Sequence, residues 1–237
     1  MHPPQYFLAR HAHLCVTKHH CVILDVELDQ YFCVEMAAFK ALATFLDGCI
    51  TAHHNSEQCE LTDVAALVAQ LSERGILTSE RSFGKPIQPV TVALPRRPLP
   101  PPDRSGRLLH RLSLLPAFLF AAGISDHRLR RERLADILRR VEARRMRHRR
   151  ENQFEYEVTA DLVAAFEAFR PLYHRPYLCL FDSLALLEFL SYYGIYPAWI
   201  FGVKTEPFIA HCWLQEGDTV LNDSVAEVAG YTPVMAV

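Results

Sequence analysis

Residues 179–223 read CLFDSLALLEFLSYYGIYPAWIFGVKTEPFIAHCWLQEGDTVLND, and their pattern predicts the fold class. Its first part is apolar at helical spacing and stops at Gly194, a residue typical of helix ends. Three β-type runs follow, over 197–204, 208–216 and 219–223, with short polar or proline-containing turns between them. A helix followed by an antiparallel sheet is typical of α+β domains, and this is the fold class we expect.

Three residues with catalytic potential lie at defined places in this pattern. Cys179 begins the helix, where the helix dipole and unpaired backbone N–H groups favour a thiolate. His211 lies inside the second β-type run, and Asp223 ends the third. Each alone has an ordinary explanation, as a buried thiol, a core histidine or a turn aspartate. In this order, however, they are typical of the Cys-His-Asp sites of papain-like and transglutaminase-like enzymes.

The stretch also resembles the C-terminal domain of the lasso peptide biosynthesis B proteins, transglutaminase-like cysteine peptidases that remove the leader from a lasso precursor. The matching elements are CLxxSLALLxxL, a Gly-Ile turn, xxGVKTxPFxAHxW and VLND, within residues 175–223. The resemblance implies that Cys179 is the nucleophile, His211 the base and Asp223 the orienting acid. It also implies two partners, the leader of a lasso precursor and an asparagine-synthetase-like cyclase. Relatives often have Ala where this chain has Cys212. Because side chains alternate along a strand, Cys212 is expected on the face of the sheet opposite to that of His211, in a packing role.

The N-terminal part predicts a small winged-helix-like module. Two β-type runs, 21–28 and 31–35, flank a polar pair and indicate a hairpin, and two amphipathic helices follow, ending at Gly48 and Gly75. By its position, this part looks like the PqqD-like leader-recognition module that fused B proteins carry ahead of the peptidase. We expect the leader to add as a strand beside one edge of the hairpin. The residues of that edge are Tyr31, Phe32, Cys33 and Val34.

Proline content sets the predicted domain boundaries. Seven prolines lie between Gly84 and Ser105, and because proline lacks a backbone donor, neither a helix nor a central strand is expected there. We therefore predict a leader-recognition module at 1–85, an extended linker at 86–106 and a peptidase domain at 107–237.

The segment Arg128–Arg150 is strongly basic. It holds eleven of the 25 Lys and Arg residues against three acids, with an apolar stripe at helical spacing. Two interpretations stay open, a solvated helix face and a docking surface for a partner. Nucleic-acid binding is not expected, since no aromatic residue within the segment could stack on bases.

Composition excludes other classes of protein. The 237 residues are 50% hydrophobic with a formal net charge of −2, which is typical of a folded globular chain rather than a disordered or nucleic-acid-binding one. The seven cysteines are odd in number, and the N-terminal residues lack the basic-then-apolar pattern of a signal peptide, so we expect a cytoplasmic protein. The resemblance to the lasso B proteins implies a bacterial one. The most apolar run, 112–124, is too short to span a membrane. A His/Cys-rich patch at 11–21 lacks the paired spacing of zinc sites, so we predict a polar lead-in to the hairpin and no metal or cofactor.

The function that these patterns favour is leader removal by a cysteine endopeptidase, before a separate cyclase closes the macrolactam ring. Two alternatives stay open: a transglutaminase-like amidase or peptidase of other specificity, and a non-catalytic module that delivers peptide to a partner. Strand parity adds one geometric expectation. If His211 and Asp223 face each other across a hairpin, the loop holds an odd number of residues, most simply Glu216-Gly217-Asp218. A two-residue Gly217-Asp218 turn would instead pair Cys212 with Asp223 and make Asp223 structural, unless a bulge restores the register.

Overall fold

The computed structural model describes residues 5–48, 61–102, 112–148 and 154–237. Over these residues the chain is a mixed α+β structure, as expected. It divides into two compact units. The first contains 1–91, 203–209 and 232–235, and the second contains 92–202, 210–231 and 236–237.

The first unit is built on two small sheets. One has the strand order β2-β3-β4 and the other β5-β1-β6. Two helices complete its N-terminal segment, and leucine, isoleucine and phenylalanine side chains from helices and sheets form one core. The elements are β1 (Phe7–Ala9), β2 (Ala12–Val16), β3 (His20–Asp25), β4 (Gln30–Glu35), α1 (Met36–Ala43), α2 (Leu61–Glu73), β5 (Leu77–Thr78) and β6 (Gly84–Lys85).

The hairpin predicted for this unit is confirmed as β3 and β4, which pair antiparallel with Asp25 opposite Gln30. Its turn has four residues, 26–29, and Asp29 takes a positive φ of 53° there. The His/Cys-rich lead-in is more than a polar segment, because it contains strand β2. The winged-helix architecture stays a prediction, since the described residues form two three-stranded sheets.

The second unit contains most of the helices and most of a five-stranded sheet of order β11-β8-β9-β10-β7. Residues 203–209 and 232–235 of that sheet belong to the first unit. The elements are β7 (Arg97–Pro98), α3 (Leu115–Arg131), α4 (Leu134–His148), α5 (Tyr156–Phe169), a 3₁₀ turn (Arg170–Leu172), α6 (Cys179–Ser191), β8 (Ala198–Thr205), β9 (Phe208–Glu216), β10 (Thr219–Val220), α7 (Val225–Val228) and β11 (Thr232–Ala236).

Helix α6 is the central element of this unit. It is apolar around its circumference, and all residues from Ser183 to Leu190 are buried, which is the pattern of a helix enclosed by its domain. After its last turn Gly194 has a φ of 76°, and the N–H of Ile195 returns to the carbonyl of Leu190. This is a glycine-type helix ending, as the sequence predicts. The first residue, Cys179, is thus held at the end of a rigid, buried helix.

The predicted linker has no regular secondary structure at 86–96 and 99–102, while its residues 103–106 lie outside the described residues. Arg97 and Pro98 form β7, which pairs in parallel with β10 at the edge of the sheet. An edge strand is the position in which a proline is tolerated, because a missing N–H there breaks no central ladder. The predicted domain boundaries stay predictions.

Within the described parts of the chain, no helix combines the length and apolar character that crossing a bilayer requires. The cysteines of these parts are free thiols, namely Cys15, Cys21, Cys33, Cys179 and Cys212, while Cys49 and Cys59 lie outside the described residues.

Candidate active site

Cys179 is the first residue of α6, as the sequence predicts. The preceding residue, Leu178, is extended, with φ −138° and ψ 125°, so the helix begins abruptly at the cysteine. Backbone N–H groups of a first helical turn have no partner within the helix, and the helix dipole is positive there. The thiol is half-buried and lines a cavity of about 500 Å³.

His211 and Asp223 meet in the same cavity. His211 lies on β9, and its Nε2 is 2.5 Å from Oδ2 of Asp223. The other oxygen of Asp223, Oδ1, accepts the N–H of Ser224 at 2.6 Å, which orients the carboxylate. The two side chains are 19% and 21% exposed, so water screens their interaction only in part. Since Nε2 is occupied by Asp223, Nδ1 is the ring nitrogen left for the hydrogen bond with Cys179.

The turn before Asp223 differs from the expectation. Thr219 pairs with Glu216, so the loop is the two-residue turn Gly217-Asp218, and the predicted three-residue loop is wrong. Gly217 takes the positive φ of 56° that such a turn requires. Strand parity would then direct Asp223 away from His211, but β10 ends at Val220 and the chain bends before Asp223. Side chains alternate between the two faces of a sheet only within a paired strand. Asp223 lies after the end of β10, so its side chain can point toward His211.

Asn222 holds this bend in place. Its Oδ1 accepts the N–H of Leu214 on β9 at 2.7 Å, a bond that substitutes for a ladder bond past the end of β10. Its Nδ2 donates to Oγ of Ser183 on α6 at 3.1 Å, and Ser183 in turn donates to the carbonyl of Cys212 at 3.1 Å. The network ties the helix that carries the cysteine to the strand that carries the histidine.

The electrostatics favour a thiolate–imidazolium pair. The pKa of Cys179 is lowered to about 4, first by a hydrogen bond with the Cys212 thiol and next by one with His211. The pKa of His211 is raised, mainly by its hydrogen bond with Cys179 and also by Asp223. Burial raises the pKa of Cys212, which therefore stays a thiol that can donate to its neighbour. Cys212 is thus buried, as a packing residue would be, and in addition it contacts the candidate nucleophile.

The remainder of the cavity mixes apolar and charged side chains. Phe166 and Leu186 supply apolar wall, while Glu167 has its pKa raised by burial. Tyr177, 68% exposed, stands beside the cysteine. The buried Arg170 also lines the cavity, and no sequence signal distinguished it from the many other arginines. A partly apolar cavity with convergent polar groups is the ordinary form of a small binding site.

The residues predicted for leader binding lie on β4, in the first unit. β4 is an edge strand of its sheet, and its side chains alternate. Val34 is buried and Cys33 is exposed, while Phe32 lies 4.9 Å beneath the guanidinium of Arg74. The ring of Tyr31 contacts that of Phe208 edge to face, with centroids 5.5 Å apart.

The basic segment 128–148 is tied by ion pairs to acids, and its last residues, 149 and 150, lie outside the described residues. Arg128 and Arg144 both bind the buried carboxylate of Glu188 on α6, each at 2.7 Å. The other pairs are Arg130–Asp126, Arg139–Asp136 and Arg140–Glu132. Arg144 is therefore a structural residue, and a docking role, if the segment has one, belongs to its exposed arginines.

A metal site is not assembled by the described residues, among which no three His, Cys, Asp or Glu side chains are grouped to hold an ion. Comparison with known protein families shows that residues 122–236 fit the model of the transglutaminase-like superfamily. No curated protein and no solved structure matches the chain. The matched range includes α6, β9 and the bend after β10, and hence Cys179, His211 and Asp223. Residues 122–236 of this chain thus resemble a transglutaminase-like superfamily domain.

Proposed function

We propose that this protein is a cysteine endopeptidase in which Cys179, His211 and Asp223 act as nucleophile, base and orienting acid. The observation that carries the proposal is the cavity that Cys179, His211 and Asp223 line together, in which His211 Nε2 is 2.5 Å from Oδ2 of Asp223. The lowered pKa of Cys179, to which His211 contributes, supports it. The superfamily supports peptidase or amidase chemistry in general, since it includes cysteine peptidases and transglutaminases.

The mechanism follows from the positions of the protons. The Cys179 thiolate attacks a peptide carbonyl carbon, and the imidazolium of His211 gives its Nδ1 proton to the departing amine. A thioester and a neutral imidazole result. The imidazole then takes a proton from water, and the water oxygen attacks the thioester. The carboxylic acid is released, and the thiolate–imidazolium pair is restored. The backbone N–H of Cys179, at the start of α6, supplies one donor for the oxyanion.

The substrate that we propose is the leader–core junction of a ribosomally made lasso precursor. Its support is the motif resemblance over 175–223 together with the separate N-terminal unit, whose edge strand β4 can take an added peptide strand at 31–34. The freed core would pass to an asparagine-synthetase-like cyclase. A bacterial cytoplasmic location belongs to the same proposal.

Hydrolysis of a precursor peptide in water enriched in ¹⁸O tests the chemistry. We expect one cut, with one ¹⁸O atom in the new carboxyl group of the leader, and no product from Cys179→Ala. An amine-dependent amide without cleavage would instead indicate a transglutaminase, and an inert wild-type protein that still binds the leader would indicate a delivery module. Peptides of unrelated sequence are the matched control, because an amidase of broad specificity would cut them as well.

A further inference from the structure

Arg170 is a buried arginine for which the mechanism above has no role. It follows α5 as the first residue of the 3₁₀ turn and is 3% exposed. Arginine is almost never fully buried unless it is paired, because removing its charge from water is costly. Its surroundings therefore indicate what the buried charge stabilises.

Among the described residues, the hydrogen bonds of the Arg170 guanidinium all go to the segment around the candidate nucleophile. Nε donates to Oδ1 of Asp182, in the first turn of α6. Nη1 donates to the carbonyl of Tyr173 at 3.2 Å, and Nη2 donates to those of Arg175 and Pro176 at 3.0 and 2.9 Å. One planar group thus holds three carbonyl oxygens of the loop that leads into α6 and one carboxylate beyond it.

Asp182 extends this contact to the residue beside the cysteine. Its Oδ2 accepts the backbone N–H of Leu178 at 2.8 Å, and its own N–H donates to the carbonyl of Leu178 at 2.9 Å. Arg170 also stacks on the exposed ring of Tyr177, with 4.4 Å between Cζ and the ring centroid. The two residues immediately before Cys179 are therefore both held by the Arg170–Asp182 pair.

We infer that Arg170 is a positioning residue, which together with Asp182 fixes the loop 173–178 and so sets the place of the Cys179 sulfur relative to His211. The inference rests on the proposed cysteine-peptidase function. Hydrogen bonds to a thiolate weaken as the atoms separate, so a loosened loop costs the sulfur its contacts with His211 and Cys212.

Arg170→Lys is the variant that tests this inference. Lysine keeps the positive charge beside Asp182, but it lacks the planar fork that reaches three carbonyls and a carboxylate together. The matched control is Arg144→Lys. Arg144 also binds a carboxylate of α6, but that residue, Glu188, is nine residues from Cys179, about 13 Å along the helix.

The measurement is the pH dependence of alkylation of Cys179 by iodoacetamide, followed by site-resolved mass spectrometry in the full-length protein. Exposed Cys33 serves as the internal reference. We expect the midpoint of the Cys179 profile to rise by at least one pH unit in Arg170→Lys and to stay within a few tenths in Arg144→Lys. A loss of general stability alone would not separate the two variants, because both remove a bond to the same helix.

Equal midpoints in wild type and Arg170→Lys would overturn the inference, and so would equal rises in both lysine variants. If Arg170→Lys does not fold, Asp182→Asn decides, since it keeps the shape of the side chain but weakens its bonds to Arg170 and Leu178. A midpoint unchanged in Asp182→Asn would likewise overturn the inference. A wild-type Cys179 that reacts like an ordinary thiol would instead overturn the proposed function, and this inference with it.

Discussion

Cys212 offers a sharp test of how this site activates its nucleophile, because its thiol contributes most to the low pKa of Cys179. Cys212→Ala removes the donor, whereas Cys212→Ser keeps a donor in nearly the same place. The buried thiol is 2% exposed, so no water would readily replace it in the alanine variant. The pair of variants therefore separates the hydrogen bond from the packing.

The size of the effect follows from the strength of one hydrogen bond to a charged group. Such a bond contributes about 1.5–3 kcal/mol, and one pKa unit corresponds to about 1.4 kcal/mol. Cys212→Ala should therefore raise the pKa of Cys179 from about 4 to between about 5 and 6. Cys212→Ser should leave the pKa close to its wild-type value.

The assay is the alkylation rate of Cys179 as a function of pH in the three proteins, with the thermal unfolding midpoint as a control for folding. Cys212→Ala is expected to unfold at a somewhat lower temperature, since removing a buried sulfur leaves a small cavity. Identical alkylation midpoints in all three proteins would refute the reasoning, because the Cys212 thiol would then not be a donor to Cys179.

Three further predictions concern the acid, the basic segment and the leader. The Asp223→Asn variant should fold normally, but its kcat should fall by about 10²–10⁴-fold, as it does when the orienting acid is changed in other enzymes. Full activity would show that Cys179 and His211 act as a catalytic dyad without Asp223. Charge reversal of the exposed Arg139 and Arg140 should raise KM or weaken cyclase binding, and added salt should have the same effect. If neither quantity changes, the segment is a solvated helix face. A bound leader should protect the exposed Cys33 thiol on β4 from alkylation in the full-length protein, and undiminished labelling at saturating peptide would exclude strand addition at this edge.

The elements that carry the site could be predicted from sequence because their signals are local. Helical spacing that ends at Gly194 defined α6, and alternating β-type runs defined the strand of His211. The length of the turn after β9 was harder to predict, because Gly217 can take a positive φ in a two-residue loop and in a three-residue loop alike. Nor could the bend after β10 be predicted, because it is held by a side chain, Asn222, which accepts the N–H of Leu214, and no local pattern reveals such a bond.

Arg170 was missed for a related reason. A buried arginine and an exposed one look the same in sequence, and this chain has several exposed arginines within 128–148. Asp182 carried a weak signal, since an acid three residues after a helix start is common in helix N-termini. Its bond to Arg170, twelve residues earlier, depends on tertiary structure. Strand β2 was also not recognised from sequence, because its His/Cys-rich composition is not typical of a strand, although most of its residues are buried in the structure.

The pH profile of cleavage follows from the two pKa shifts at the site. Below about pH 4 the Cys179 thiolate is protonated, and the attack slows. The pKa of His211 is raised above its ordinary value, so the imidazolium that protonates the leaving amine persists to higher pH than in a free histidine and is lost as the pH rises past it. We therefore expect a bell-shaped profile with an acidic limb near pH 4, measured as kcat/KM of the free enzyme. A profile that rises only toward pH 9 would contradict the assignment of the lower pKa to Cys179 and the higher pKa to His211.

The most direct test of the central claim, that Cys179 is a thiolate nucleophile, is its alkylation rate in the wild-type protein at pH 5. With a pKa of about 4, about 90% of Cys179 is thiolate there, against about 0.03% for an ordinary thiol with a pKa of about 8.5. Lower basicity reduces the reactivity of each thiolate roughly 100-fold, which leaves a net advantage of about 30-fold over an ordinary thiol. We predict that Cys179 is labelled at least this much faster than the exposed Cys33, and that the advantage disappears when the protein is unfolded. Equal labelling of Cys179 and Cys33 in the folded protein would contradict the account.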